Sequence, residues 1–336
     1  NTLKLENSIS EFMNVLIKPK KNAHDKHNSF LDKDNNMASN SVKNLLTEQR
    51  NNLSTHIDQM STVEMVQLMN HEDQNVINAI ANVTKHIATA IDTIAAAILK
   101  GGRLVYIGAG TSGRLGVLDA SECLPTFGVG EETVIGIIAV GERFLRNPVE
   151  NAEDNSEAVI TDLQMIQFND NDVLCAITAS GRTPYCIAGL EYAKSLGAQT
   201  IALACTEHNP MFDIAHIKIP VLVGAEVITG STRLKSGSAQ KMVLNMLTTC
   251  SMVKIGKTYG NLMVDVKPTN EKLHQRAINM LVTILDIDDE TAEILLNNAN
   301  NHVKTAILMH LKSINCDQAT QLLAANQSRL SEALKD

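Results

Sequence analysis

A chain of 336 residues with 44% hydrophobic and 20% charged side chains can bury a sizeable core, as one large α/β domain with helical attachments or as two modest domains, the first being the simpler organisation. Aromatic residues at 3%, with no tryptophan, make that core aliphatic and leave no resemblance to a fibre or a disordered chain. The formal charge of −8 comes without the clustered lysines and arginines that a grip on duplex phosphates needs, which excludes nucleic acid as a partner.

Residues 1–45 are rich in Asn, Lys and Ser. Phe12, Met13, Val15, Leu16 and Ile17 suit one short helix, but no longer period follows, so this stretch reads as a loosely ordered extension, with Met37 open as a natural start. From Ser61 to Leu99 the apolar positions recur at helical spacing, and Ser61 with Glu64 forms a capping-box pattern. Two helices fit, the second from about Val76 to Leu99 and ending at Lys100-Gly101-Gly102, a cationic last turn before glycine caps.

The period then changes. Arg103–Gly108, Thr133–Val140, Val173–Thr178, Thr200–Cys205 and Ile217–Val223 are short apolar runs, most of them separated by helical segments. Continuous rather than alternating hydrophobicity describes strands buried on both faces, as in a parallel sheet wrapped by helices. From Ser238 the chain is helical again, interrupted by a loop from Gly256 to Asp265. The expected organisation is an extension over 1–45, an α/β domain with N-terminal helices over 46–265, and a helical subdomain over 266–336.

The six cysteines, Cys123, Cys175, Cys186, Cys205, Cys250 and Cys316, lack CxxC spacing and lie mostly in apolar runs, so they read as reduced core residues rather than a zinc site or a disulfide framework. No apolar stretch reaches the roughly 18 residues of a membrane span, and no secretory segment opens the chain. The cytoplasm is the default location, with no membrane partner.

Three polar loops carry chemistry. Gly108-Ala-Gly110-Thr111-Ser112-Gly113-Arg114 joins a strand to a helix and satisfies GxGxxG, so a dinucleotide turn must be weighed. Against it, the ribose-binding acid belongs at the tip of the next strand, whereas Glu131 and Glu132 precede that strand. Thr111 and Ser112 instead place hydroxyls beside backbone N–H groups at a helix N-terminus, a nest for one phosphate monoester. Ser180-Gly181-Arg182-Thr183-Pro184 repeats the arrangement, with Pro184 suited to a first helical turn. Simple helix capping explains either loop alone but strains to explain both; two such loops at neighbouring strand ends can converge on one anion. A third run from Thr229 to Ser238 adds Ser231, Thr232, Arg233 and Lys235, or is an ordinary solvated turn.

Glu122 follows the first loop, and Glu150 and Glu153 follow the second strand. Acidic residues are usually just solvated, but these lie near the strand ends. The ten histidines show no ligand spacing and no nucleophile–histidine pattern stands out, so carboxylates are the best acid and base on offer and no metal or cofactor is expected.

With these residues in view, the chain resembles the N-acetylmuramic acid 6-phosphate etherases, built on the sugar isomerase (SIS) fold. The resemblance runs from about Leu45 to the C-terminus. It rests on the strings Gly108–Cys123, Ala179–Tyr185, Gly230–Lys235 and Tyr259–Asp265 in that order. The glucokinase regulatory protein shares this ancestry but is similar to two such domains plus a lid. The resemblance implies a three-layer α/β/α domain with a central parallel sheet, flanked by N-terminal helices and a C-terminal helical subdomain. It implies cleavage of the D-lactyl ether of a sugar phosphate by C2 deprotonation, lactate elimination and water addition, without a cofactor, in amino sugar catabolism. It further implies Glu122 as the acid and Glu153 as the base, with Thr111, Ser112, Gly113, Ser180, Gly181, Thr183, Ser231 and Lys235 around the substrate and Glu150 near its hydroxyls. A homodimer with shared active sites follows from the same source.

Some positions depart from the family pattern. Leu124 stands where Pro is usual, Val140 and Asn151 where Gly is usual, and 143–148 replaces a run of small residues. None of these removes a residue with a proposed role. Two other functions use the same features: a non-catalytic sugar-phosphate sensor, and a sugar-phosphate isomerase, whose first step is also removal of a C2 proton.

Overall fold

The structure, a computed structural model, describes residues 46–141, 153–265 and 270–335. The expected short helix at 12–17, Glu150, Asn151 and the run at 143–148 lie outside the described residues. After three short 3₁₀ turns, helix α1 (Thr62–Asn82) begins at the expected capping box: Ser61 Oγ accepts the Glu64 N–H and the Glu64 carboxylate accepts the Ser61 N–H. Helix α2 (Thr84–Leu99) follows. The break between them falls at Val83, not near Val76, where Asn82-Val83-Thr84 brings together three weak helix formers.

Five parallel strands form one sheet in the order β2-β1-β3-β4-β5: β1 (Leu104–Gly108), β2 (Val134–Ile138), β3 (Val173–Ile177), β4 (Gln199–Ala204) and β5 (Ile217–Pro220). Between them run α3 (Gly110–Phe127), α4 (Ala158–Met165), α5 (Pro184–Ser195) and α6 (Pro210–Ile214), and α7 (Lys235–Lys254) follows the sheet. Alternate residues of one strand enter opposite cores. Leu104 and Tyr106 pack with α2, α3 and α7, while Val105 and Ile107 pack with α4, α5 and α6. That is why the strands read as unbroken apolar runs.

The remaining helices, α8 (Glu271–Leu285), α9 (Asp289–Asn298), α10 (Val303–Lys312), α11 (Cys316–Ala325) and α12 (Leu330–Ala333), close over a separate apolar cluster that includes Val264, Leu281, Leu296 and Ile307. Among the described residues no helix is long and apolar enough to cross a membrane. All six cysteines are free, and four are buried; Cys250 is exposed and Cys316 half-buried, so those two are not core residues as expected.

Candidate functional site

Strands β1 and β3 are neighbours, with Gly108 in register with Ile177, while β2 lies on the other side of β1. The strand order therefore reverses between β1 and β3, and the turns leaving their carboxyl ends flank the crevice where open α/β sheets bind ligands.

The first turn opens α3. Its N-cap, Ala109, offers no side-chain hydrogen bond, so the first N–H groups of the helix, at Gly110, Thr111 and Ser112, are left without an intrahelical partner. Gly113 N–H returns to Ala109 O at 3.1 Å. A Cβ on Gly113 would stand 2.4 Å from Gly108 O, so this glycine is needed for the helix to close onto the strand. At the tip of β2 the chain continues Ala139-Val140-Gly141, none of which offers a carboxylate to hold a ribose, and the next residue, Glu142, lies outside the described residues. The motif is here a packing device with hydroxyls in its turn. Ser112 is buried and donates to Gln240 Oε1 of α7 at 2.9 Å, and Thr111 faces the first turn of α7, its Cγ2 lying 3.5 Å from where a Cβ on Gly237 would sit.

The second turn opens α5, whose N-cap Thr183 again makes no side-chain cap and whose first residue is Pro184. Thr183 Oγ1 is spent instead on Thr178 Oγ1 at 2.9 Å, and Ser180 Oγ accepts the Arg182 N–H at 3.2 Å, which leaves the Ser180 proton for an outside acceptor. Residues beyond β4 prop this turn from behind. Thr206 Oγ1 donates to Ser180 O at 3.0 Å, Asn209 Nδ2 donates to Thr206 Oγ1 at 3.2 Å, and Gly181, at φ 72°, has Asn209 so close that a Cβ would meet it at 2.2 Å. By contrast, α1, α6, α8, α9 and α11 are capped by Ser61, Asn209, Asn270, Asp288 and Asn315. The two loop hydroxyl sets are thus not helix caps. Arg182 Nε is a further buried donor with no partner.

The third polar run ends differently. The carboxylate of Glu226, fully buried, accepts the N–H groups of Lys235 and Ser236 at 3.0 and 2.9 Å and closes the N-terminus of α7 itself. Lys235 Nζ is buried against Glu72 at 2.5 Å, and Asn51 donates to the same carboxylate at 2.7 Å. Ser231 lies in the preceding turn, its N–H bonded to Ile228 O at 2.9 Å.

Of the candidate carboxylates, Glu153 is joined to the second loop. Its carbonyl accepts the N–H of Tyr185, the second residue of α5, at 3.0 Å, and its side chain is exposed. Burial, with the Glu153 charge adding to it, pushes the neighbouring Cys186 thiol up to about 12. Glu122 is exposed on α3, three helical turns and about 16 Å along the axis from Thr111, so it stands apart from the first loop. Gln240, Thr206 and Asn209 were not among the expected site residues. Single polar residues on a helix or after a strand carry no spacing signal.

A cavity of about 730 Å³ lies elsewhere, lined by residues that include Lys257, Asp265 and Lys304. Asp265 is shared by Lys257 and Lys304 at 2.9 and 2.7 Å, so both cations are already paired.

A model of the SIS domain matches residues 144–250, and one of the glucokinase regulatory protein N-terminal SIS domain matches 86–194. The chain is 54% identical over 293 residues to an N-acetylmuramic acid 6-phosphate etherase of Actinobacillus pleuropneumoniae serotype 5b (strain L20), covering 87% of this chain and 96% of that one. It is 50% identical over 300 residues to one of Clostridium beijerinckii (strain ATCC 51743 / NCIMB 8052), covering 89% and 99%. Among solved structures, a phosphoheptose isomerase from Francisella tularensis aligns over 58% of this chain and 100% of its own at 18% identity, with a TM-score of 0.46.

Proposed function

Because the chain belongs to the N-acetylmuramic acid 6-phosphate etherase family, it is an enzyme of the carbon–oxygen lyase type, and we propose how its residues divide the reaction. The reaction cleaves the D-lactyl ether at C3 of N-acetylmuramic acid 6-phosphate and yields N-acetylglucosamine 6-phosphate and D-lactate. In the proposed division, the phosphate is held by backbone N–H groups and hydroxyls at Thr111, Ser112, Ser180, Gly181 and Thr183, while Gly113 lines the site by letting α3 close onto β1. Ser231 and Lys235 border it from the start of α7, Lys235 acting through its pair with Glu72, and Glu150 serves the sugar hydroxyls.

With the ring open, the C1 aldehyde acidifies the C2 proton. Glu153 removes that proton, the freed electron pair forms the C2=C3 double bond, and the C3–O bond breaks as Glu122 protonates the departing lactate oxygen. Water then adds its oxygen to C3 and a proton to C2. No step calls for a metal or a redox cofactor. The observation that carries the proposal is the hydrogen bond from Tyr185 N–H to Glu153 O at 3.0 Å, which ties the base to the phosphate-binding turn. Since Glu122 stands about 16 Å along its helix from the same chain's first loop, its acid function belongs to the site of a second subunit. The proposed assembly is a homodimer in which each site is completed by its neighbour, working in the cytoplasm, where free thiols persist.

Mixed dimers test this division. Glu122→Gln alone is expected to lose turnover while keeping part of its C2 proton exchange in heavy water, and Glu153→Gln to lose both. Mixing the two inactive variants in equal amounts through a denature–refold step is expected to restore about a quarter of wild-type turnover, because half the dimers are mixed and each carries one intact site. No restoration would overturn the shared site.

A further inference from the structure

Gln240 stands on α7 with 1% of its surface exposed, accepting the Ser112 hydroxyl on Oε1 at 2.9 Å, while its Nε2 has no partner. Buried side-chain donors seldom go unused in a folded protein, and an unspent one needs a reason. The reason is visible in the donor count. Gln240 carries two N–H hydrogens and Ser112 one O–H hydrogen, and the single bond between them uses one of the three. Turning the amide half over would make Nε2 the donor to Ser112 Oγ and release the serine proton, but it would strand Oε1, a buried acceptor, without a donor. In the observed orientation the surplus is of donors alone, in a buried place, beside the uncapped first turn of α3. Donors without acceptors at a positive helix end suit an acceptor-only, negatively charged group. Glu226, which closes the N-terminus of α7, bonds Lys235 and Ser236 and so is spent within its own turn.

We propose that Gln240 is a phosphate-positioning residue, its amide setting the direction of the Ser112 hydroxyl and giving its spare N–H to an oxygen of the substrate's phosphate. Gln240 has no part in moving the C2 or lactate protons. The inference rests on the etherase reading for the identity of the sugar that carries the phosphate, and on the donor surplus for the phosphate itself.

The test uses two full-length variants, Gln240→Leu and Gln240→Glu. Gln240→Leu is expected to raise KM about tenfold, the loss of one charge-assisted hydrogen bond, with kcat within about twofold of wild type and an unchanged or raised melting temperature. Gln240→Glu puts an acceptor and a charge in place of the donors, so its KM penalty is expected to grow as pH rises through about 6, where the phosphate gains its second charge. A role in packing alone would not produce that pH dependence. Wild-type KM in Gln240→Leu, or a pH-independent penalty in Gln240→Glu, overturns the proposal. Inorganic phosphate separates this inference from the etherase reading, since its effect on melting temperature needs no turnover. A rise in wild type that is lost in Gln240→Leu supports the role of Gln240 whatever the substrate; an equal rise in both, or none in wild type, overturns it.

Discussion

Val140 holds φ 73° at the third position of a tight turn in which Gly141 N–H bonds Ile138 O at 2.9 Å, a setting that asks for glycine. A β-branched side chain is an outlier there, at a cost of about 1–3 kcal/mol, whereas glycine loses about 0.4–1 kcal/mol through the greater freedom of the unfolded chain. Strain is the larger of the two. Val140 is 41% exposed, so its removal opens no cavity. Val140→Gly is expected to stabilise the protein by about 1 kcal/mol and raise the melting temperature by about 1–2 °C in a thermal melt. A fall would mean that valine is anchored by contacts that offset the strain. At this scale the sequence was most informative where residue type is tied to backbone shape: the turn glycines, Pro184 at a helix start, the Ser61–Glu64 box and the unusual Val140. It was silent on Gln240, Glu72 and Glu226. Glu72 meets Lys235 across 163 positions and Glu226 caps a helix that starts nine residues later, and such partners exist only once the chain is folded.

The elements around the site are fastened by a buried polar knot. Asp119 of α3 accepts hydrogen bonds from Tyr106 of β1 at 3.0 Å, and from Asn245 and Thr248 of α7 at 2.6 and 3.3 Å. Burial raises the Asp119 carboxyl above its ordinary range, outweighing the three donors that favour its ionised form. A carboxyl raised in the folded state adds stability at low pH and loses it as pH climbs through the raised value. The stability of wild type relative to Asp119→Asn is therefore expected to fall from about pH 4 upward, followed by urea unfolding across pH 4 to 8. A difference that grows with pH would contradict the burial argument. Element types were legible because both faces of each strand are buried, which writes an unbroken apolar run into the sequence. Boundaries were less so. The start of α7 moves from the expected Ser238 to Lys235 because Glu226 satisfies its first N–H groups, and the break after α1 falls at Val83, where no glycine or proline marks it.

Across the whole molecule, the sheet brings two loops to one crevice, and the candidate base Glu153 is joined to the second of them. That much followed from hydroxyl-rich turns after two buried strands. The position of Glu122 did not, because a helix of 18 residues separates its two ends by about 27 Å, and a residue near its far end reads in the sequence as a near neighbour of the loop. The C-terminal helices form their own apolar cluster, with Asp265 bridging Lys257 and Lys304 at its border. The central claim is chemical: the ether bond breaks on the sugar side, by elimination at C3 and then addition of water. The direct measurement is incubation of the purified protein with N-acetylmuramic acid 6-phosphate in heavy-oxygen water, without added metal or nucleotide, and mass spectrometry of both products. The account predicts unlabelled D-lactate and N-acetylglucosamine 6-phosphate carrying one heavy oxygen. Label in the lactate, or binding without conversion, would contradict it.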